Sequence, residues 1–164
     1  MFTFKKNSIP LLLLLIFFCR QSLLDAKDHY LSVIVPPTIS LSPKHKVMIP
    51  VILHIHDGFH IQSNPPGAPG LIPTEVILEI SPQLASVLTI QKIEYPPGNS
   101  HHLVGMNLPI TVYSETTKIE IPVTLNKPLR QLKNSKIKGK LIYQACSDKT
   151  CFQPSEKSFV ITLD

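Results

Sequence analysis

Proline is the residue that most restricts the fold of this chain. The 164 residues include 16 prolines, which are spread along the chain between Pro10 and Pro154. Proline lacks a backbone N–H and clashes with the preceding helical turn, so this distribution argues against long helices. Between the prolines lie short runs in which apolar and polar residues alternate, a pattern typical of half-buried β-strands. The sequence therefore predicts an all-β protein.

The alternating runs are separated by turn signals rich in Pro, Gly, Asn and Asp. Alternation is clearest around Val76, Leu78 and Ile80, which would share one face of a strand. Many short strands with such punctuation favour an antiparallel β-sandwich. The predicted strands are Tyr30–Val35, Lys46–His56, Phe59–Gln62, Thr74–Ile80, Val87–Ile93, Ile110–Tyr113, Lys118–Leu125, Ile137–Cys146 and Ser158–Leu163.

The N-terminal residues have the features of a secretory signal peptide. Lys5 and Lys6 precede an apolar run over residues 11–18, and cleavage near Ala26 would remove residues 1–26. The apolar run is about half the length that a membrane-spanning helix needs. We therefore expect no transmembrane segment in the mature chain.

A lipoprotein-type signal that ends before Cys19 is the alternative, although Phe18 is larger than the residue such a signal carries there. Either route predicts a periplasmic protein, lipid-anchored in the second case, in a compartment that oxidises cysteine pairs. Residues 27–164 suit a single domain, which we expect to be a monomer. Their net charge is +3, because residues 1–26 hold three of the 16 basic and one of the 11 acidic residues. So small an excess does not argue for a nucleic-acid partner.

Cys146 and Cys151 have four residues between them and lie where one alternating run ends and another begins. Two strands joined by the loop Ser147–Thr150 would form a β-hairpin. The cysteines would then face each other with their Cα atoms roughly 4.5–5.5 Å apart. That spacing suits a disulfide bond.

Two interpretations of this disulfide remain open from the residues alone. A structural bridge is common in exported domains, and the chain would then be a non-catalytic sandwich that binds a partner. However, a ring of about six residues contributes only about 2 kcal/mol in the chain-entropy model. Alternation also places Cys146 on the face of Lys138 and Lys140, so we expect it near solvent, as in redox-active bridges.

The stretch Leu141–Cys151, followed by Pro154, resembles the active-site hairpin of a known family. That family is the N-terminal periplasmic domain of DsbD-type thiol:disulfide interchange proteins (the disulfide bond corrector domain family). The shared pattern is Tyr-Gln-x-Cys, a short loop with an acidic residue, a second cysteine and a proline-containing tail. Further matches occur in the same order at Gly58–Ile61 and Ile119–Leu125, and the resemblance covers residues 30–163.

The resemblance implies an immunoglobulin-like β-sandwich that acts as a periplasmic thiol:disulfide oxidoreductase and relays reducing equivalents. It implies that Cys151 forms mixed disulfides with partners and that Cys146 resolves them. Tyr143 and Phe152 would shape a groove beside the pair. The implied partners are thioredoxin-fold proteins, with a membrane-bound reductant donor supplied in trans, and no metal or organic cofactor is implied.

In the resembling family a loop with an aromatic side chain caps the cysteine pair. The capping position falls here on Leu103, with Val104 beside it. An aliphatic side chain thus replaces the aromatic one, and His101 and His102 stand where acidic residues are usual. We expect Leu103 to shield the cysteines, since exclusion of water needs only an apolar lid.

The histidines suggest a further alternative, a periplasmic metal carrier. Imidazole and thioether groups bind copper or zinc, but the spacing of these residues matches no established metal motif. We therefore interpret them as surface or half-buried histidines on strands. The residues considered are His54, His56, His60, His101, His102 and Met106.

Overall fold

The computed structural model describes residues 29–105, 108–127 and 134–164. The predicted signal peptide, Cys19 and Met106 lie outside these ranges. The elements in chain order are β1 (Leu31–Ile34), β2 (Lys46–Ile55), β3 (His60–Gln62), β4 (Glu75–Glu79), α1 (Pro82–Ala85), β5 (Leu88–Ile90), β6 (Asn99–His101), β7 (Ile110–Tyr113), β8 (Thr116–Leu125), β9 (Lys136–Tyr143), β10 (Ala145–Cys146) and β11 (Ser155–Thr162).

The strands form three antiparallel sheets. The first has the strand order β1-β2-β8-β5, the second β10-β3-β7-β6, and the third β11-β9-β4. Every pair of neighbouring strands runs antiparallel. The predicted immunoglobulin-like antiparallel β-sandwich is confirmed.

The main core lies between the first and third sheets. Alternate residues of β8, such as Ile119 and Ile121, are fully buried, as are Ile137 and Leu141 on β9. These are the faces that the alternation predicted. Burying an aliphatic side chain of this size contributes about 1.5–3 kcal/mol, so the sheets are held together mainly by these contacts.

One predicted strand is divided between two sheets. The run Ile137–Cys146 was predicted as continuous, but β9 pairs with β11 and β4, whereas β10 pairs with β3. The chain changes sheets at Gln144. Residues on both sides of this point keep the predicted alternation, since Tyr143 and Ala145 are both buried in the main core.

Two elements were not predicted. The short helix α1 follows Ser81, whose side chain accepts a hydrogen bond from the Leu84 N–H at 3.3 Å, and it begins with proline. Both are helix-start signals. The strand β6 is polar and is held by pairing with β7 rather than by its own pattern.

No helix in the described part of the chain has the length and apolar character needed to span a membrane.

Two isoleucines test how much the core contributes to stability. Ile121 in β8 is 0% exposed, whereas Ile34 in the edge strand β1 is 49% exposed. We expect Ile121→Ala to lower the free energy of unfolding by about 2–5 kcal/mol, because it removes buried methyl groups and leaves a cavity. The matched Ile34→Ala change should cost about 0.5 kcal/mol or less. Urea unfolding followed by circular dichroism measures both, and equal losses would contradict this account of the core.

Candidate functional site

Cys146 and Cys151 face each other across two short antiparallel segments and form a disulfide bond. The Ser147 N–H donates to the Thr150 carbonyl oxygen at 2.8 Å and closes the four-residue loop. On the other side of the pair, the Phe152 N–H donates to the Ala145 carbonyl oxygen, also at 2.8 Å. The cysteines are therefore a non-hydrogen-bonded pair, the closer kind in an antiparallel ladder. Their Cα atoms are 3.9 Å apart, nearer than predicted.

The two cysteines differ in exposure. Cys146 is 0% exposed, so the prediction that it lies near solvent is wrong, whereas Cys151 is only half-buried. Alternation does turn Cys146 away from Ala145 and the main core, as predicted. That face is covered, however, by a second, smaller apolar cluster. The residues packed with Cys146 in this cluster are Leu103, Ile110, Val112, Ala68, Leu71 and Cys151.

Residues 101–104, which we call the cap segment, lie against the loop between the cysteines. Leu103 is 8% exposed and belongs to the apolar cluster around Cys146. Val104 is 74% exposed, and its N–H donates to the Asp148 carbonyl oxygen at 3.1 Å. The cap segment is thus joined to the cysteine loop by an apolar contact on one side and a backbone hydrogen bond on the other.

The two aromatic residues predicted to line a groove have different positions. Tyr143 is fully buried in the main core, so it lines no surface beside the cysteines, and that prediction is corrected. It shares the inward face of β9 with Leu141, which explains its burial. Phe152 is half-buried and stacks on Tyr30 with ring centroids 4.9 Å apart, while Phe59 lies 6.0 Å from it.

A buried glutamine contacts both sulfurs and was missed by the sequence argument. Gln62 is 0% exposed, and its Nε2 lies 3.2 Å from the Cys146 Sγ and 3.9 Å from the Cys151 Sγ. In the register of β3 with β10, Cys146 faces His60, so Gln62, two residues further on, shares the same side of the sheet. Only this pairing, which the sequence does not reveal, indicates that the side chain reaches the disulfide.

A second glutamine, Gln144 of the Tyr-Gln-x-Cys pattern, supports the hairpin. Its Oε1 accepts a hydrogen bond from the Ile72 N–H at 3.2 Å, and its Nε2 donates to the Phe152 carbonyl oxygen at 3.1 Å. This amide therefore connects the start of the hairpin to the residue after Cys151 and to the proline-rich loop. The connection gives a physical reason for a glutamine at this point of the motif.

A model of the family described as "Thiol:disulfide interchange protein DsbD, N-terminal" matches residues 34–163. The chain belongs to this family. The resemblance read from the hairpin is confirmed, and the chain is a thiol:disulfide exchange domain that carries the cysteine pair of the family.

One solved structure supports this fold. The N-terminal periplasmic domain of ScsB from Proteus mirabilis matches with a TM-score of 0.56 and 16% identity, over 81% of this chain and 46% of that one. The chain thus spans less than half of that protein's length. Murine CRIg matches with a TM-score of 0.36 and 8% identity, over 82% of this chain and 96% of that one. That similarity is too weak to indicate a shared fold. A search of curated protein sequences found no significant match.

The histidines of this DsbD N-terminal family member divide into two groups. His54 and His56 are exposed, and their Nδ1 atoms lie 2.9 Å from the Thr116 hydroxyl and 2.7 Å from the His29 carbonyl oxygen, respectively. His60, by contrast, is buried, and its ring centroid lies 4.1 Å from that of His101. The structure therefore does not bring together the full set of histidines considered from the sequence.

The environment of His60 disfavours its charged form. Burial lowers the pKa of the His60 imidazole below its ordinary value, and the neighbouring His101 ring lowers it further, while the Asp148 carboxylate acts in the opposite direction. In the unfolded chain this pKa returns to about 6.5. The unfolded state therefore binds more protons at pH values between the two pKa values.

Stability should consequently decrease as the pH falls. The contribution of His60 to the free energy of unfolding is fully present above about pH 6.5. It is lost as the pH falls through the lower pKa of the folded state. We expect urea midpoints measured at pH 7.5 and pH 5 to differ less in His60→Gln than in the wild type. The exposed His54 provides the control, since His54→Gln should keep the wild-type difference. An unchanged pH dependence in His60→Gln would contradict the assignment.

Proposed function

We propose that this chain is an exported electron-relay domain that passes reducing equivalents between thioredoxin-fold proteins through Cys146 and Cys151. The observation that carries the proposal is the unequal exposure of the two sulfur-bearing residues. Cys151 is half-buried at the surface, whereas Cys146 is 0% exposed beneath the cap segment. Since thiol–disulfide exchange requires direct access to one sulfur, Cys151 is the residue that meets the partner.

The exchange proceeds in balanced two-electron steps. A thiolate of the reduced donor attacks the Cys151 Sγ, the disulfide breaks, and Cys146 leaves as a thiolate. A second donor thiol then displaces Cys151 and releases the domain with both thiols reduced. In the second half of the relay, the Cys151 thiolate attacks the disulfide of an oxidised acceptor and forms a mixed disulfide. The Cys146 thiolate then attacks the Cys151 Sγ and releases the reduced acceptor. The two electrons and the accompanying protons move from donor to acceptor, and the domain returns to its disulfide form.

Four side chains around the pair assist this chemistry. The Gln62 amide N–H groups stabilise the sulfur that carries negative charge when the disulfide opens, since hydrogen bonds to an ion are stronger than those to a neutral group. Leu103 covers Cys146 and excludes water and small thiols. Phe152 follows Cys151 directly and offers a half-buried apolar surface beside it. Val104, at the exposed edge of the cap segment, is placed to touch a docked partner.

The proposed setting is the periplasm. Residues 1–26 would direct export and be removed, or the chain would be lipid-anchored through Cys19. Residues 27–164 would then act as a single domain. The reductant would come from a membrane-bound donor in trans, and the acceptors would be thioredoxin-fold proteins. Membership of the family supports thiol-redox partners of this kind.

Single-cysteine variants test which sulfur meets the partner. Cys146→Ala leaves the accessible Cys151 and should form a mixed disulfide with an activated thioredoxin variant that lacks its resolving cysteine. Cys151→Ala leaves only the covered Cys146 and should react several-fold more slowly, since the rate depends on access. Non-reducing electrophoresis over time measures both reactions. Equal rates, or no adduct with Cys146→Ala, would sink the proposed assignment.

A redox titration tests the relay itself. Equilibration in glutathione or dithiothreitol buffers should give a reduction midpoint of about −230 mV for the Cys146–Cys151 disulfide. A structural bridge would instead resist reduction until the buffer potential is more negative than about −300 mV. We expect Gln62→Leu to make the midpoint more negative by about 30 mV, because the reduced form loses a hydrogen bond worth about 1.5 kcal/mol. The exposed Gln91 serves as the control, and Gln91→Leu should leave the midpoint unchanged.

A further inference from the structure

Three potential metal ligands from separate parts of the chain meet beside the cysteine loop. His60 lies on β3, His101 begins the cap segment, and Asp148 lies between the two cysteines. One donor atom from each of the three lies within 4.8 Å of the other two. The His101 Nε2 is 3.4 Å from the Asp148 Oδ1, and the two imidazole rings are 4.1 Å apart.

The buried histidine carries a separate indication of a ligand. His60 is 4% exposed, and its Nε2 has no hydrogen-bond partner within the described residues. The His101 Nε2 is also buried as an atom and makes no hydrogen bond there, despite the nearby carboxylate. A buried polar nitrogen without a partner costs about 1–3 kcal/mol. A cation bound between these rings would give both nitrogens a partner, and the carboxylate would offset its charge.

We propose that His60, His101 and Asp148 form a zinc site that fastens the cap segment to the loop between the cysteines. Two imidazoles and one carboxylate are a ligand set that Zn²⁺ accepts, with a fourth position left for water. Donors about 2.0 Å from a tetrahedral zinc lie about 3.3 Å from one another, so separations of up to 4.8 Å must close by as much as about 1.5 Å. Asp148, whose side chain is 75% exposed, is free to make that adjustment.

The location of the site gives zinc an effect on the cysteines. The Val104 N–H already donates to the Asp148 carbonyl oxygen at 3.1 Å, and Leu103 covers Cys146 from the same segment. A metal that joins His101 to Asp148 adds a further connection between the cap segment and the loop between the cysteines. Zinc would therefore hold the cap closed and slow access to the disulfide. The zinc site rests on its own geometry, and only this effect on exchange rests on the proposed function.

Calorimetric titration of the full-length, oxidised protein with zinc chloride tests the site, because disulfide-bonded cysteines offer no thiolate to the metal. We expect one zinc per chain, and more than about tenfold weaker binding in His101→Asn and in Asp148→Asn. Both variants change side chains that reach solvent, so they test the site even if His60→Gln fails to fold. The exposed His54 is the matched control, and His54→Gln should bind zinc like the wild type. No binding, or equal affinity in all variants, would overturn the site.

Deuterium exchange tests the closed cap. The Val104 amide should exchange several-fold more slowly with zinc in the wild type, and at the same rate with and without zinc in Asp148→Asn. Zinc binding without this protection would overturn the effect on the cap. The reaction of Cys146→Ala with thioredoxin is measured without zinc, so failure of the zinc proposal and failure of the relay are distinguishable.

Discussion

The antiparallel pairing of Cys146 with Cys151 is the contact on which the rest of the site depends. It exists because the chain leaves the third sheet at Gln144 and continues as β10 in the second sheet, beside β3. Hydrogen bonds on each side of the pair hold the two segments in register. A shift of one residue would turn Cys146 toward the main core and Ala145 outward, since side chains alternate between the faces of a strand.

This register also separates the roles of the two cysteines. Cys146 is enclosed in a small apolar cluster that is distinct from the main core, and Cys151 lies at the edge of that cluster. In this cluster Ile110, Val112 and Cys146 lie on strands β7 and β10 of the second sheet, whereas Leu103, Ala68 and Leu71 come from loops. Loop backbone lacks the ladder hydrogen bonds of paired strands, so the loop residues over Cys146, Leu103 among them, are the part of this cover best able to move without unfolding the sandwich.

The same cover contains the clearest departure from the family's pattern. By the resemblance, His101 and His102 stand where acidic residues are usual, and His101 contacts His60 from β3. The cover therefore carries imidazole groups, which can bind metal ions, beside the loop between the cysteines.

Much of the fold and part of the site could be predicted from the sequence. The prolines and the alternation determined an all-β sandwich, the inward faces of β8 and β9, and the hairpin that joins Cys146 to Cys151, because these depend on neighbouring residues. The burial of Cys146, the reach of Gln62 to both sulfurs and the meeting of His60 with His101 were decided only by the tertiary structure. Each depends on which distant segment lies over a strand face. Alternation shows that two faces differ, but it does not show what covers the outer one.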